Sequence, residues 1–519
     1  MHSRRQAMSG ISLGLLAACV TPSRAAPLEV FNIRSYGAKG DGVTLDTGAI
    51  QRTIDAAAQA GGGTVFLPRG HYLSFTLRLR SHITILFDSG AVLVAADPAI
   101  HKGHYDFPEE NRFDQHQDFG HNYWHNSLMW GDGLEDITFA GPGLIDGAGL
   151  TRESPTAPWS VGIGRNLPPD PKREAAIADF HRQVAAMRGQ GNKAIALKNS
   201  KNIIVRDLSF LRAGHFGLLL TGVDNITLDN LKIDTNRDGM DLDVVRNARV
   251  SNCTVNSPYD DGIVLKSSYA LGGMARPTEN VSITDCQVTG YDVGSLLDGT
   301  YRKLQLHPLM NHRTSGRIKL GTESNGGFRN IAVSNCVFDC CNGLAIESVD
   351  GGVLEDVTVS NLVMRDATAA PLFIRLADRR RAPEGTPIAQ LRRVSIDNID
   401  CVSVDPRICS SITGVPGAMV EDVTVRGMRW IYQGGASAEY ADRTVPEKVE
   451  DYPDPDMFGA LPAWGLYARH VRGLVLEDIE MTALNADGRK AVIFDDVSGV
   501  RARDVFARNG KGELQPVTL

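Results

Sequence analysis

The sequence predicts an all-β chain wound as a parallel solenoid, and three observations carry that prediction. A ten-residue pattern recurs: "KNIIVRDLSF" at Lys201, "DNITLDNLKI" at Asp224, "RNARVSNCTV" at Arg246, "ENVSITDCQV" at Glu279, "RNIAVSNCVF" at Arg329 and "EDVTVSNLVM" at Glu355. Fainter copies start at Arg392, Glu421 and Arg472. Each copy alternates apolar and polar residues, the period-2 signature of a strand with one buried face. The first three copies lie 23 and 22 residues apart, and later gaps of 26 to 51 read as the same coil carrying insertions. A strand–turn–strand unit of that length cannot bury its apolar face alone, so successive copies must stack. An antiparallel sandwich would require short Asn-Gly-type hairpins, and these strands are not joined that way.

Taken from the start, "MHSRRQAMSGISLGLLAACVTPSRAAP" has a charged head, an apolar run from Ile11 to Val20 and small residues after it. This reads as an export signal over residues 1–26, with ten apolar residues where a membrane span needs about 20. Ser3-Arg4-Arg5 resembles a twin-arginine signal, so export from a bacterial cytoplasm is expected, the protein being periplasmic, secreted or lipid-anchored. "LAAC" resembles a lipobox, which would acylate Cys19, whereas "SRA" before Ala26 permits ordinary cleavage. Residues 27–519 are expected to form one catalytic solenoid, working as a monomer with no transmembrane span.

The segment "DTGAIQRTIDAAAQAGGG" is the first predicted element. Asp46 or Thr47 caps a helix, Ile50, Ile54 and Ala57/Ala58 form its apolar stripe, and Gly61 ends it. Such a helix plugs the open end of a solenoid, whose edge groups would otherwise be exposed. Segments 100–130, 152–193, 300–315 and 430–465 break the repeat and read as long loops shaping a binding site. Cys253, Cys286 and Cys336 share one repeat position, which predicts a stacked core ladder rather than bridges; Cys340/Cys341 and Cys401/Cys409 are left as candidate disulfides.

Composition excludes some functions. With a net charge of −7 and no basic run interleaved with aromatics, nucleic acid is not an expected partner. The densest basic run, "DRRRAP" from Asp378, reads as a solvated loop.

The chemistry concentrates in "NRDGMD" (Asn236–Asp241) and "YDDG" (Tyr259–Gly262), which with Asp243 place five aspartates within 24 residues. Asp238 and Asp260 are 22 residues apart, one coil, so they should occupy adjacent rungs about 4.8 Å apart. Asp260 and Asp261 would face opposite ways on a straight strand, and Gly262 permits the bend that brings both to one side. Carboxylates crowded in one cleft cannot all ionise, which separates an acid from a base as glycoside hydrolysis requires. A calcium site also wants clustered carboxylates, so the spacing alone leaves both readings open.

"YGAKGDGVTLDTGAIQRTIDAAAQAGGGTVFLPRGHY", "GPGLIDGAG", "NRDGMD", "YDDGIVLKS" and "GTESNGGFRNIAVSNC" together resemble glycoside hydrolase family 28, the polygalacturonases and their relatives, from about Phe31 to beyond Ser360. The resemblance implies a right-handed parallel β-helix of the pectin-lyase type that cleaves pectic poly- or oligosaccharides with inversion, without metal or other cofactor. Asn236-x-Asp238 matches the family's Asn-Thr-Asp and Asp260-Asp261 its paired aspartates, which implies Asp261 as general acid, with Asp238 and Asp260 activating water. Asn236, Lys266, Arg317, Lys319, Glu323 and Glu347 are the expected substrate-binding residues.

Two departures bear on the substrate. Ser315 stands near the family's Gly-His-Gly histidine, with His307 and His312 out of register. Where the family's Arg-Ile-Lys would grip a uronate carboxylate the chain has Ala345 and Glu347, and "GRIK" (Arg317–Lys319) comes one rung early. A glutamate facing a uronate costs binding by like-charge repulsion, which brings rhamnose-containing galacturonans into consideration. Lys266, Arg317, Lys319 and Arg375 are the cations available to compensate. Tyr123, Trp124, His125 and Trp159 in the insertions would either stack on sugar rings or pack the loops. A calcium-dependent lyase and a non-catalytic carbohydrate-binding solenoid are the alternatives.

Overall fold

The computed structural model describes residues 29–517 except 112, 114–115, 118–119, 154–160, 164–166, 273–274 and 305–313. The export segment with Cys19, and Trp159, His307 and His312, lie outside the described residues. Among the described residues no helix is long and apolar enough to cross a membrane.

The repeats become rungs. Lys201–Arg206 pairs in parallel with Asp224–Asp229, which pairs with Arg246–Ser251, then with Thr278–Thr284 and Phe328–Asp339. In register, Ile203, Ile226, Ala248, Val281, Ile331, Val357, Val394, Val423 and Leu474 form one column. All nine are buried. The alternation seen in the sequence is therefore the alternation between the solenoid's interior and its outer face.

A second column runs along the outside of the same wall. Asn202, Asn225, Asn247, Asn280 and Asn330 all sit near φ +57°, and each amide Nδ2 from Asn225 onward donates to the preceding rung's Oδ1 at 3.0–3.2 Å. Asparagine suits this corner because its short polar side chain tolerates the left-handed region and can bond to its neighbours.

The predicted helix is α1 (Thr47–Gln59), with Ile50, Ile54 and Ala57 buried against the first strands. Asp46 precedes it but makes no cap hydrogen bond; its carboxylate instead accepts from the amides of Lys39 and Gly40. The 152–193 insertion, expected as loop, contains α2 (Pro171–Ala186), which Asp170 caps with Pro171 in the first turn. Only Phe180 of α2 is buried, so its apolar residues lack the periodic stripe that would have marked it.

The cysteine ladder is present: Cys253, Cys286 and Cys336 are buried free thiols. Cys340, Cys341, Cys401 and Cys409 are also buried and free, so neither candidate disulfide forms. "DRRRAP" is not a solvated loop. Arg379 is buried and forks onto Asp350 at 2.9 and 2.6 Å, and Arg381 is buried beside it. A short run of like charges hides its partner when that partner lies a rung away.

Candidate active site

One sheet carries the acidic residues. Its strands are β1 (Lys193–Lys198), β2 (Phe216–Thr221), β3 (Asp238–Asp243), β4 (Ile263–Ser267), β5 (Ile318–Ser324), β6 (Leu344–Ser348) and β7 (Leu372–Leu376), stacked in that order. Asp238 opens β3, and Asp260 and Asp261 stand just before β4. Gly217, Gly239 and Gly262 form a column beside them. A Cβ at Gly217 or Gly239 would lie 2.4 Å from the carbonyl of the next glycine, and one at Gly262 would lie 2.8 Å from that of Gly316. Any side chain there would force the rungs apart at the point where the carboxylates meet.

The three aspartates converge as expected, around the backbone amide of Asp261. It lies 3.2 Å from Asp238 Oδ1 and 3.1 Å from Asp260 Oδ1. The carboxyl groups then diverge in their surroundings. Asp260, with a quarter of its side chain exposed, receives Arg237 Nε and Nη2 at 3.0 and 2.6 Å. Asp261 is buried and accepts from Arg317 Nε at 2.8 Å, with Lys319 Nζ at 3.2 Å and Ser315 Oγ at 3.2 Å. Asp238 is buried and makes no salt bridge among the described residues, and Asp241 and Asp260 are the carboxylates that act on it most strongly.

These surroundings set protonation. Burial raises the Asp238 carboxyl well above the usual carboxylate range, and the like charges of Asp241 and Asp260 add to it. Burial would do the same to Asp261, but Lys319 and Arg317 outweigh it and hold the group well below that range. The surroundings of Asp261 favour the ionised form and so weigh against the expected role of general acid. A carboxylate clamped between two buried cations is an ion, and an acid catalyst must hold its proton.

The other expected residues are occupied. Arg317 and Lys319 serve Asp261 rather than standing free as a clamp. Lys266 Nζ reaches Glu323 Oε2 at 3.0 Å and Asp241 Oδ2 at 3.9 Å, both pairs being buried. Burial alone would lower the Lys266 ammonium, yet Glu323, Asp241 and Asp238 hold it charged. Glu323 also lies 3.6 Å from Arg379. Glu347 is fully buried, 3.7 Å from Lys319, with neither oxygen hydrogen-bonded; burial raises its carboxyl against the pull of Lys319 and Arg317. Its carboxyl is enclosed beside Lys319 instead of standing open to a substrate, which weakens the expected repulsion. Arg375 is spent on Thr413 Oγ1 and the carbonyls of Gly414, Glu447 and Lys448. Asn236 is half-buried at the rim, its carbonyl accepting from the Tyr259 amide at 3.2 Å.

Several residues came from outside the expected set. Arg237 lies within the quoted "NRDGMD", where the family pattern has threonine, and is the cation on the open side of the trio. His215, at the mouth of β2, has a ring nitrogen within 4.8 Å of Asp238 and Asp260 oxygens. The 100–130 insertion delivers His121, whose Nδ1 is 3.5 Å from Asp241 Oδ2. Burial lowers both imidazoles well below their usual range, so both are neutral. No spacing rule links an insertion loop to the rung it covers, which is why His121 was not predicted. From the 430–465 insertion, Tyr452 accepts from Thr322 Oγ1 at 3.0 Å and stands 5.6 Å from the Lys319 ammonium. Asp454 lies 3.9 Å from Arg317. Trp124 is buried against Ala196, Phe216 and Leu219 and donates to Thr221 Oγ1 at 3.1 Å, so it packs the loop rather than a sugar. His125 stacks on Trp130 at 3.9 Å.

Comparison with known proteins agrees with this architecture. Residues 30–264 match the family described as rhamnogalacturonase A/epimerase, pectate lyase-like. An exo-poly-alpha-D-galacturonosidase of Dickeya chrysanthemi is 26% identical over 269 residues, covering 47% of this chain and 42% of that protein. A probable polygalacturonase of Vitis vinifera is 24% identical over 418 residues, 75% of this chain and 73% of its own. Among solved structures, the family 28 exopolygalacturonase of Yersinia enterocolitica superposes with a TM-score of 0.61 at 19% identity, covering 95% of this chain and 80% of that one. The shared fold is the right-handed parallel β-helix.

Proposed function

We propose that this chain, a divergent relative of the family 28 glycoside hydrolases whose segment 30–264 carries the rhamnogalacturonase A/epimerase, pectate lyase-like domain, hydrolyses glycosidic bonds in galacturonate-containing pectic glycans. The observation that carries the reading is the split within the carboxylate trio. Asp238 is buried against Asp241 and Asp260, which favours its protonated form, while Asp261 is held ionised by Arg317 and Lys319.

Roles follow from that split. Asp238 supplies the proton for the leaving glycosidic oxygen, and Asp260, the more exposed carboxylate beside it, faces the substrate. Asp261 takes the proton of the attacking water. Inversion, carried over from the family, is a single displacement in which water enters on the face opposite the leaving group. Arg237, partly exposed beside Asp260, is the cation best placed to meet a uronate carboxylate, since Arg317 and Lys319 are buried. The buried, raised Glu347 leaves galacturonan itself a suitable substrate.

A lyase would need an uncharged basic residue to abstract a proton. Lys266 and Lys319 are both held charged by carboxylates, so neither supplies that base. The test is proton NMR of the first product: the reading expects the newly formed reducing end to appear first as the anomer opposite to the bond cleaved. Appearance of the same anomer would reject the single displacement.

A further inference from the structure

The carboxylate trio does not account for Asp241 and His121. Both are buried, Asp241 completely and His121 with 4% of its surface exposed. Neither oxygen of Asp241 has a hydrogen bond, and His121 Nδ1 has none either. Lys266, its ion-pair partner, stands 3.9 Å away, beyond hydrogen-bond reach, so the buried carboxylate keeps its acceptor capacity open to a cation.

The geometry points to a divalent metal site formed by His121, Asp238 and Asp241, suited to a borderline ion of the zinc type. Their ligand atoms all lie within 4.8 Å of one another. Two ligands bound at about 2.1 Å to a tetrahedral ion are about 3.4 Å apart, and His121 Nδ1 already stands 3.5 Å from Asp241 Oδ2. One imidazole and two carboxylates favour zinc over calcium, which takes oxygen ligands alone. A second triad, His215, Asp238 and Asp260, has the same compactness, but Asp260 is already gripped by both Arg237 nitrogens. Lys266 competes for Asp241 from 3.9 Å, yet its closer partner is Glu323 at 3.0 Å, which leaves Asp241 free to turn to an ion.

Binding there has a consequence that rests on the glycosidase reading. Asp238 would ligate the ion and no longer be available to the reaction, so zinc would inhibit hydrolysis and a chelator would restore it. The site itself does not depend on that reading.

The test is isothermal titration calorimetry of the chelator-treated full chain with zinc chloride. One ion per chain is expected, with affinity at least tenfold weaker in both His121→Ala and Asp241→Asn, each checked for native circular dichroism. Absence of binding, or binding unchanged in both variants, would overturn the site, the latter identifying surface histidines as the ligands. If zinc binds as expected but leaves hydrolysis of galacturonan oligomers unaffected, the site stands and the role given to Asp238 falls.

Discussion

Replacing Lys319 with methionine separates the two assignments available to Asp261. The ammonium lies 3.2 Å from Asp261 Oδ2, and both side chains are almost fully buried. At an effective dielectric of about 20 a pair at that distance interacts by about 5 kcal/mol, an upper bound because relaxation and water reduce it. One opposite charge in contact moves a carboxyl by about 1–3 pH units in practice. Arg317 remains at 2.8 Å, so Asp261 stays folded into the site with its carboxyl shifted upward by that amount. If Asp261 is the base, it must be ionised to work, and the acidic limb of the kcat/KM profile for galacturonan oligomers moves to higher pH by about 1–3 units. If Asp261 were the acid, the alkaline limb would move instead. An unmoved acidic limb, with the rate reduced equally at every pH, would show that Asp261 is not the base. Because the three carboxyls are coupled, the limbs belong to the set, and the direction of movement is the diagnostic quantity.

Further perturbations address other parts of the structure. Asp260→Asn should lower kcat by about 10²–10⁴-fold with a normal unfolding midpoint, since Asp260 is partly exposed; retained activity would remove it from the catalytic set. Asp261→Asn should abolish turnover but also destabilise the protein by about 3–5 kcal/mol in denaturant titrations, because it strands two buried cations; an unchanged midpoint would contradict the ion cluster. Burial lifts Asp243 to about 6 against its accepted bonds from Ser268. Its neutral form is favoured by folding, so stability should fall as pH rises from about 4, the unfolded value, to about 6, by about 3 kcal/mol. Asp243→Asn should flatten that slope in urea midpoints measured across the window, and a slope as steep as in the parent would show that other groups cause it. Asn247→Val places a branched side chain at φ +57° and cuts two ladder bonds, so a loss of about 1–3 kcal/mol is expected by the same measurement.

Much of the fold was legible because the solenoid repeats its own evidence. The 22- and 23-residue spacing is the strand register itself, as Ile203, Ile226 and Ala248 show by falling in one column. The cysteine ladder followed from the same phase. Asparagine at the second position of successive copies was also visible, and its meaning is the left-handed corner and the amide ladder. Asp238, Asp260 and Asp261 were legible as a group because one coil separates them. Their protonation was not, since it depends on which cation each meets: Arg317 and Lys319 look like a substrate clamp in sequence and turn out to hold Asp261. Glu347 looked like an obstacle to a uronate because sequence does not reveal that its carboxyl is enclosed. His121 and Tyr452 reach the sheet from insertions whose paths no periodicity constrains. α2 announced its start with Asp170 and Pro171, but without a buried stripe its apolar residues gave no helical signal.

The central claim, hydrolysis of a galacturonate-containing glycan by these carboxylates, is tested most directly by incubating the purified protein with polygalacturonan, rhamnogalacturonan and their oligomers, with and without chelator, and following reducing ends and ultraviolet absorbance together. New reducing ends without ultraviolet absorbance, undiminished by chelator, are expected. Ultraviolet-absorbing products that disappear with chelator, or no reducing ends from any of these substrates, would contradict that claim.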